Sequence, residues 1–334
     1  MAMKKFLNDP ANLTAELLDG LVQCYPDKLA LKNDKIVVRA NPKPADKVAI
    51  VTLGGAGHEP ALQGFVGEGM LDASVVGDIF AAPGGEKVFE ALELFNRPAG
   101  VLLVTLNHNG DRMSANKALR KAAKAGLNVK EVVVHDDIAQ GPHTPEDDKR
   151  GLGGCIALIK VVGAAAEAGK SLDEIVALAE KFNAGIATLS VALKVATHPQ
   201  NGGEIGAIDE DKMEVGMGQH GEGGGGVMPV KTADETAELM VKSLMEATGV
   251  TAGDKAFLVI NGSGATTLME MLIVYRKAKA VLEAAGVSVI PGKCTEMLTV
   301  QEMAGFQMTL CKCCETCAQY LAAKSDAPYW TCVG

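Results

Sequence analysis

The chain has 334 residues, 48% of them hydrophobic and 22% charged, with 32 basic against 41 acidic side chains and a formal net charge of −9. That length exceeds what one core usually serves, so two domains are expected. The acidic balance excludes attraction to nucleic acid or to an anionic membrane surface, both of which rest on Lys and Arg, and leaves small molecules and proteins as partners. No apolar run approaches the roughly 18 residues that span a bilayer, and the segment from Met1 to Asn8 lacks the apolar stretch of a signal peptide, so a cytoplasmic protein is expected. Aromatic residues make up only 4%, while glycine contributes 38 residues, which suits short strands, tight turns and closely packed helices.

Taken in chain order, helical periodicity over 13–22 leads into short apolar strands at 35–39 and 48–53. A helix over 86–95, a strand at 101–106, a helix over 115–125 and a strand at 130–135 follow. The stretch 151–168 is long and apolar, as a helix buried between lobes or domains would be. Ser171 with Glu174, ahead of 175–182, and Thr232 with Glu235, ahead of 236–247, have the spacing of capping boxes. Further strands are expected at 186–193, 256–260 and 287–290, and a helix over 268–285 closed by Gly286 in the left-handed conformation. Most of these strands are continuously apolar, the mark of strands buried on both faces. The alternation predicts two α/β domains, 1–185 and 186–334, each a mixed, mostly parallel sheet flanked by helices. The region 197–230, rich in Gly, Pro and acidic residues, is too long for a routine connection. Because Met213, Val215 and Met217 alternate with Glu214 and Gly216, it is read as ordered, in strand fashion, and carrying function.

Three motifs could carry chemistry. Gly54-Gly55-Ala56-Gly57-His58-Glu59-Pro60 follows an apolar strand, where a glycine-rich turn lets backbone N–H groups approach an anion or a sugar hydroxyl. No Gly-Lys-Ser/Thr follows, so it is no phosphate loop, and Leu62 stands where a zinc protease needs its second His. A plain tight turn remains the alternative. Asn107-His108-Asn109-Gly110-Asp111-Arg112 closes a second strand. Alone it reads as a strand-to-helix turn. Beside the first motif it makes Asp111 a candidate general base with His58 nearby. In Glu214-Val215-Gly216-Met217-Gly218-Gln219-His220-Gly221-Glu222-Gly223, glycines at 218 and 221 strip cover from an imidazole that could attack a carbonyl. A structural His is the alternative there. Cys311, Cys313, Cys314 and Cys317, half of the 8 cysteines, include one C-x-x-C but no second ligand pair at zinc spacing. They read as bystander thiols, with metal or redox chemistry as the alternative. A strand turning into a helix there would keep the four from converging on one ion.

Together the segments resemble the family of the sugar-binding K subunit of dihydroxyacetone kinase. The likeness runs from residues 54–60 through Gly77-Asp78-Ile79-Phe80-Ala81-Ala82-Pro83, the turn ending at Asp111, the apolar stretch 151–168 and residues 213–222, to Asn261-Gly262-Ser263-Gly264 and Met303-Ala304-Gly305-Phe306. It implies that His220 adds to the ketone carbon of a short-chain ketose as a hemiaminal and that Asp111 is the base on the terminal hydroxyl. It further implies that His58 hydrogen-bonds nearby and that Gly54 and Gly55 offer backbone contacts. Dihydroxyacetone (glycerone) would then be phosphorylated to dihydroxyacetone phosphate. The family implies no nucleotide or metal site in this chain: ADP or ATP with Mg sits on a separate L subunit, recharged in some members through a phosphotransferase-system M subunit. The chain is then a homodimer, incomplete alone. Two departures bear on the substrate: Leu106 stands where many members have Lys, and Gly223-Gly224 lacks the Pro that often follows the His. An erythrulose-type ketose, or a non-catalytic ketose-sensing coactivator of transcription, is therefore carried as an alternative.

Overall fold

A computed structural model describes residues 4–334, which group into two compact units. The first holds the residues up to Val134 with Ile156–Lys181 and Gln319–Gly334; the second holds His135–Cys155 and Phe182–Ala318. A single cut at 185/186 differs from this grouping in three segments. Residues 135–155 and 182–185 go with the second unit, and the C-terminal segment returns to the first, where Lys28 pairs with Asp326 and Glu68 O accepts from Asp326 N at 2.8 Å.

The first unit contains α1 (Leu13–Cys24), β1 (Leu29–Lys32), β2 (Ile36–Arg39), β3 (Ala49–Ala56), β4 (Ala73–Ile79), α2 (Gly85–Leu94), β5 (Val101–Leu106), α3 (Asn109–Lys124) and β6 (Val129–Val134). Then come α4 (Gly154–Glu167) and α5 (Leu172–Asn183), whose ends join the second unit. The six strands run in the order β1-β2-β4-β3-β5-β6, antiparallel at the first two ladders and parallel at the other three. Val101 to Leu106 is buried throughout, which explains its unbroken apolar sequence. Alanines 115, 118 and 122 put small side chains on the sheet-facing stripe of α3, beside Val88, Ala91 and Leu92 of α2. Ser171 and Glu174 exchange the two bonds of a capping box.

The second unit contains β7 (Ile186–Lys194), β8 (Ala196–Thr197), β9 (Glu204–Ile205), β10 (Lys212–Val215), β11 (Gly226–Pro229), α6 (Ala233–Thr248), β12 (Lys255–Gly262), α7 (Leu268–Ala284), β13 (Ser288–Ile290), β14 (Cys294–Glu296) and β15 (Ala304–Cys313). There follow α8 (Glu315–Ala322), which enters the first unit, and β16 (Ser325–Ala327) and β17 (Trp330–Cys332), which belong to it. The main sheet runs β11-β10-β7-β15-β12-β13, with β14 also on β12, and α6 and α7 pack on it through Met240, Leu244, Val274 and Leu282. It is mixed, as expected, but here the antiparallel ladders predominate: only β13 and β14 pair in parallel with β12. The reason is β15, a 10-residue strand that lies between β7 and β12 and runs against both. Residues 212–215 are the strand that the alternation around Met213 foretold. Gly286 is left-handed at φ 79°.

Thr232 caps α6 through a complete capping box with Glu235. Thr232→Ala should lower the stability of the second unit by about 1 kcal/mol, read as a lower urea midpoint with an unchanged slope. A midpoint equal to wild type would show that the box contributes nothing.

Candidate functional site

In the first unit, β3 and β5 pair in parallel from Ala49 with Val101 to Thr52 with Val104, so both carboxyl ends lie at one end of the sheet. Open α/β sheets bind ligands at such ends. After β3 the chain turns at Gly57, φ 101°, and places His58 at 6% exposure with its ring 4.9 Å from that of Phe80. Phe80 is itself left-handed at φ 55°, a conformation that costs a bulky residue on the order of 1 kcal/mol and points to an imposed role. Its N–H donates to Ala56 O at 2.8 Å. The Glu59 carboxylate accepts from Gly57 N at 2.9 Å and Gln63 Nε2 at 3.1 Å, and burial raises its pKa against those bonds.

The segment 80–82 touches both turns. A Cβ on Gly55 would meet Ala81 N at 2.8 Å, and one on Gly110 would meet Ala82 Cβ at 3.2 Å. Gly54 in turn faces Leu62 Cδ1 at 3.1 Å. Close packing thus already explains why 54 and 55 are glycines, and it ties the His58 turn to the first turn of α3. Asp111 lies in that first turn at 8% exposure, after His108 in extended conformation. The open N–H groups there favour a negative group. Leu106, 4% exposed, is the last residue of β5.

In the second unit, β10 ends at Val215 and Gly216 turns the chain at φ 82°, its N–H bonded to Ser190 O at 2.7 Å, while Ser190 Oγ donates to Met217 O at 2.6 Å. His220 follows, half-buried. Its Nδ1 lies 3.0 Å from Glu222 Oε1, and its N–H donates to Glu222 Oε2 at 2.9 Å. An ionised carboxylate only accepts, so this contact puts a proton on Nδ1 and leaves Nε2 as the ring nitrogen that could act as a nucleophile. Burial would raise the Glu222 pKa, but the His220 ring and the backbone N–H groups outweigh it and bring it down to about 2. That value lies below the ordinary one of 4.5, so the stabilisation that Glu222 gives this loop is complete above pH 4.5 and fades as the pH falls toward 2.

Arg150 braces the arrangement. Its Nη2 donates to Gly216 O at 2.8 Å, its Nη1 to Glu222 O at 3.3 Å, and its Nε to Asp137 Oδ2 at 2.6 Å. Asp137 is buried, and that burial pushes its pKa up to about 6 in spite of Arg150. Any Cβ on Gly218 would run into the Glu222 carboxylate and the Arg150 guanidinium, and one on left-handed Gly221 would meet Ile205 Cγ2 at 2.6 Å. The glycines therefore admit the brace, beyond merely uncovering the imidazole.

Of the residues singled out from sequence, His58, Asp111, Gly54 and Gly55 gather at one end of the first unit's sheet, and His220 is in the second unit. Glu222, Arg150 and Asp137 had no assigned role. Glu222 was legible in principle, two residues from the His. Arg150 and Asp137 carried no signal, because they reach the loop from a segment far away in sequence. Cys311 and Cys313 lie on β15 and Cys314 and Cys317 straddle the start of α8, and among the described residues no three of these sulfurs lie close enough to share a metal ion.

Two α/β units, with polar turns at one sheet end and a carboxylate-braced His in a glycine loop, place the molecule among small-substrate α/β proteins. The chain belongs to the Dak1 domain family, which matches residues 19–329. It is 37% identical over 310 residues to the dihydroxyacetone-binding subunit DhaK of a PTS-dependent dihydroxyacetone kinase of Listeria innocua, covering 93% of this chain and 94% of that one. An L-erythrulose kinase of Pectobacterium atrosepticum is 34% identical over 330 residues, 98% of this chain and 56% of that protein. Among solved structures, the dihydroxyacetone kinase of C. freundii in complex with AMP-PNP and Mg2+ matches with a TM-score of 0.90 at 31% identity, over 99% of this chain and 61% of that one. The dihydroxyacetone kinase operon co-activator Dha-DhaQ matches with a TM-score of 0.90 at 32% identity, over 95% and 98%.

Glu222→Gln should release the His220 tautomer: ring ¹⁵N shifts, expected in wild type to mark Nδ1 as protonated, should move toward a mixture. Unchanged shifts would show that Glu222 does not hold the ring.

Proposed function

We propose that the chain is the ketose-binding subunit of a dihydroxyacetone kinase. It holds its substrate on His220 and presents a terminal hydroxyl to a phosphoryl donor carried, as ADP or ATP with Mg, by a separate subunit. The observation that carries this is the His220–Glu222 pair, with Nδ1 3.0 Å from the carboxylate. As Nε2 attacks the ketone carbon, the carbonyl π bond becomes a C–O⁻ and the ring gains positive charge. Glu222, held anionic, offsets that charge. Loss of the Nδ1 proton and protonation of the oxygen complete a neutral hemiaminal. A carboxylate oriented on the far nitrogen plays the part that an Asp plays for a catalytic His in acyl transfer.

A covalent anchor also selects, because a ketone can form it and glycerol cannot. Fixing the sugar recovers much of the entropy cost of meeting the donor. Asp111, at the electropositive end of α3, takes the proton of the terminal hydroxyl as phosphorus is attacked, and His58 hydrogen-bonds to the sugar beside it. The 94% coverage of the Listeria subunit supports a subunit of the same kind, whose complete cycle needs its nucleotide partner and, where the donor is a phosphotransferase system, an M-type protein. We expect a cytoplasmic homodimer. Leu106, buried at the end of β5, supplies no cation to the sugar, and with the L-erythrulose kinase likeness this keeps a four-carbon ketose as the second substrate reading.

Native mass spectrometry with dihydroxyacetone should show an adduct one sugar heavier, less no water, that His220→Ala abolishes. Asp111→Asn should keep the adduct while turnover with a cognate nucleotide subunit falls roughly 100- to 10,000-fold. An adduct that survives His220→Ala overturns the nucleophile. An adduct without turnover in wild type makes the chain a sensor of the co-activator kind, and faster turnover of erythrulose than of dihydroxyacetone assigns the second substrate.

A further inference from the structure

The thiol group ending β15 belongs to none of the chemistry above. Cys314 is exposed and immediately precedes α8, while Cys317 is buried one turn into that helix. Their sulfurs lie 3.1 Å apart, and the N–H of Cys317 donates to the Cys314 sulfur at 3.4 Å. Positions three apart on a first helical turn share one face, which is what allows the contact. Of the other members of the cluster, Cys313 donates to Cys311 O at 3.4 Å, and both are buried on the strand. Burial, then the neighbouring sulfur, pushes the Cys317 thiol up to about 12, so Cys317 is a poor first nucleophile and Cys314 is the sulfur that solvent reaches.

We propose that Cys314 and Cys317 form a reversible redox dithiol, closed to an intrachain disulfide by exchange with a low-molecular-weight disulfide such as glutathione disulfide. The deprotonated Cys314 sulfur attacks one sulfur of the external disulfide, breaks its S–S bond and releases the first thiolate, which takes up a proton. Cys317, giving up its proton to water or to that thiolate, then attacks the Cys314 sulfur and expels the second. Two protein thiols are oxidised, one external disulfide is reduced to two thiols, and the two protons end on the products. The exposed sulfur is the entry point and the buried one resolves, so the mixed disulfide is short-lived. The glycine-rich loop around His220 and the turns around His58 take no part in these steps.

The test is to equilibrate the reduced protein with glutathione disulfide and glutathione at several ratios, quench in acid, alkylate, and map the peptides by mass spectrometry. Two of the eight cysteines, 314 and 317, should lose alkylation together, in one peptide lighter by two hydrogens, and recover with dithiothreitol. Exposed Cys24 in the other unit should stop at a glutathione mixed disulfide. Cys317→Ala should trap a glutathione mixed disulfide on Cys314, and Cys314→Ser, at an exposed position, should leave Cys317 fully alkylatable. The proposal is overturned if wild type accumulates the mixed disulfide on Cys314 as Cys317→Ala does. It is equally overturned if Cys314 bridges to Cys313 or Cys311, or if the pair stays fully reduced when Cys24 is fully modified.

Discussion

A single guanidinium fixes the loop that carries His220. Residues 216–225 are too rich in glycine to hold one conformation by their own preferences, since each glycine loses more backbone freedom on ordering than any other residue. Arg150 supplies the compensating bonds from outside, to Gly216 O and Glu222 O, with its third direction tied to buried Asp137. The planar fork of an arginine serves these three acceptors from three separate nitrogens, whereas a lysine has all its donors on one. Asp136, next to Asp137 in the chain, accepts from Leu152 N at 2.7 Å and Gly154 N at 2.8 Å, so the irregular segment that delivers Arg150 is itself pinned at the start of α4. The imidazole of His220 is thus oriented by a series of charged contacts that begins in the buried interior of the second unit.

The first unit solves its own positioning differently, through backbone contact. The segment after β4 presses on the turn after β3 closely enough that position 55 accepts no Cβ, and position 77 would drive one into Ala81 O. These glycines are fixed by neighbours, whatever their N–H groups do for a ligand. The cost is met at Phe80, whose left-handed backbone turns its ring onto His58. An apolar ring against an imidazole limits the ring's rotation and keeps water from that side.

How much of this was legible follows from which signals are local. Strands such as β5, buried on both faces, announced themselves as apolar runs, and the capping boxes at Ser171 and Thr232 were readable because each is a contact between residues three apart, though the one at Thr267 with Glu270 was not singled out. The longest strand, β15, was hidden. Its central position buries Gln307 and Thr309, polar residues that look like a surface until their partners are known: Gly153 N at 3.0 Å and Thr188 Oγ1 at 2.7 Å. The buried Glu214 likewise breaks the alternation that otherwise marked β10. Candidate nucleophile and base were readable from turn chemistry at strand ends. The bracing of His220 was not, because Asp137 and Arg150 meet the loop only through the fold.

The two carboxylates in the proposed chemistry must behave in opposite ways, and their surroundings differ accordingly. Glu222 has to remain charged while the ring beside it becomes positive; if it accepted the proton fully, the field that favours attack on the ketone would vanish. Its pKa, brought down to about 2 against the effect of burial, keeps it charged at neutral pH. Asp111 must instead accept a proton at the moment of transfer, so it needs a position from which a hydroxyl proton can be taken, and it lies in the first turn of α3, where the helix N–H groups favour a negative group. A carboxylate clamped by an imidazole and an arginine would be too weak a base for that step. The separation of roles therefore follows from what each acid faces: a cationic brace for the group that stabilises charge, and a helix end for the group that moves a proton.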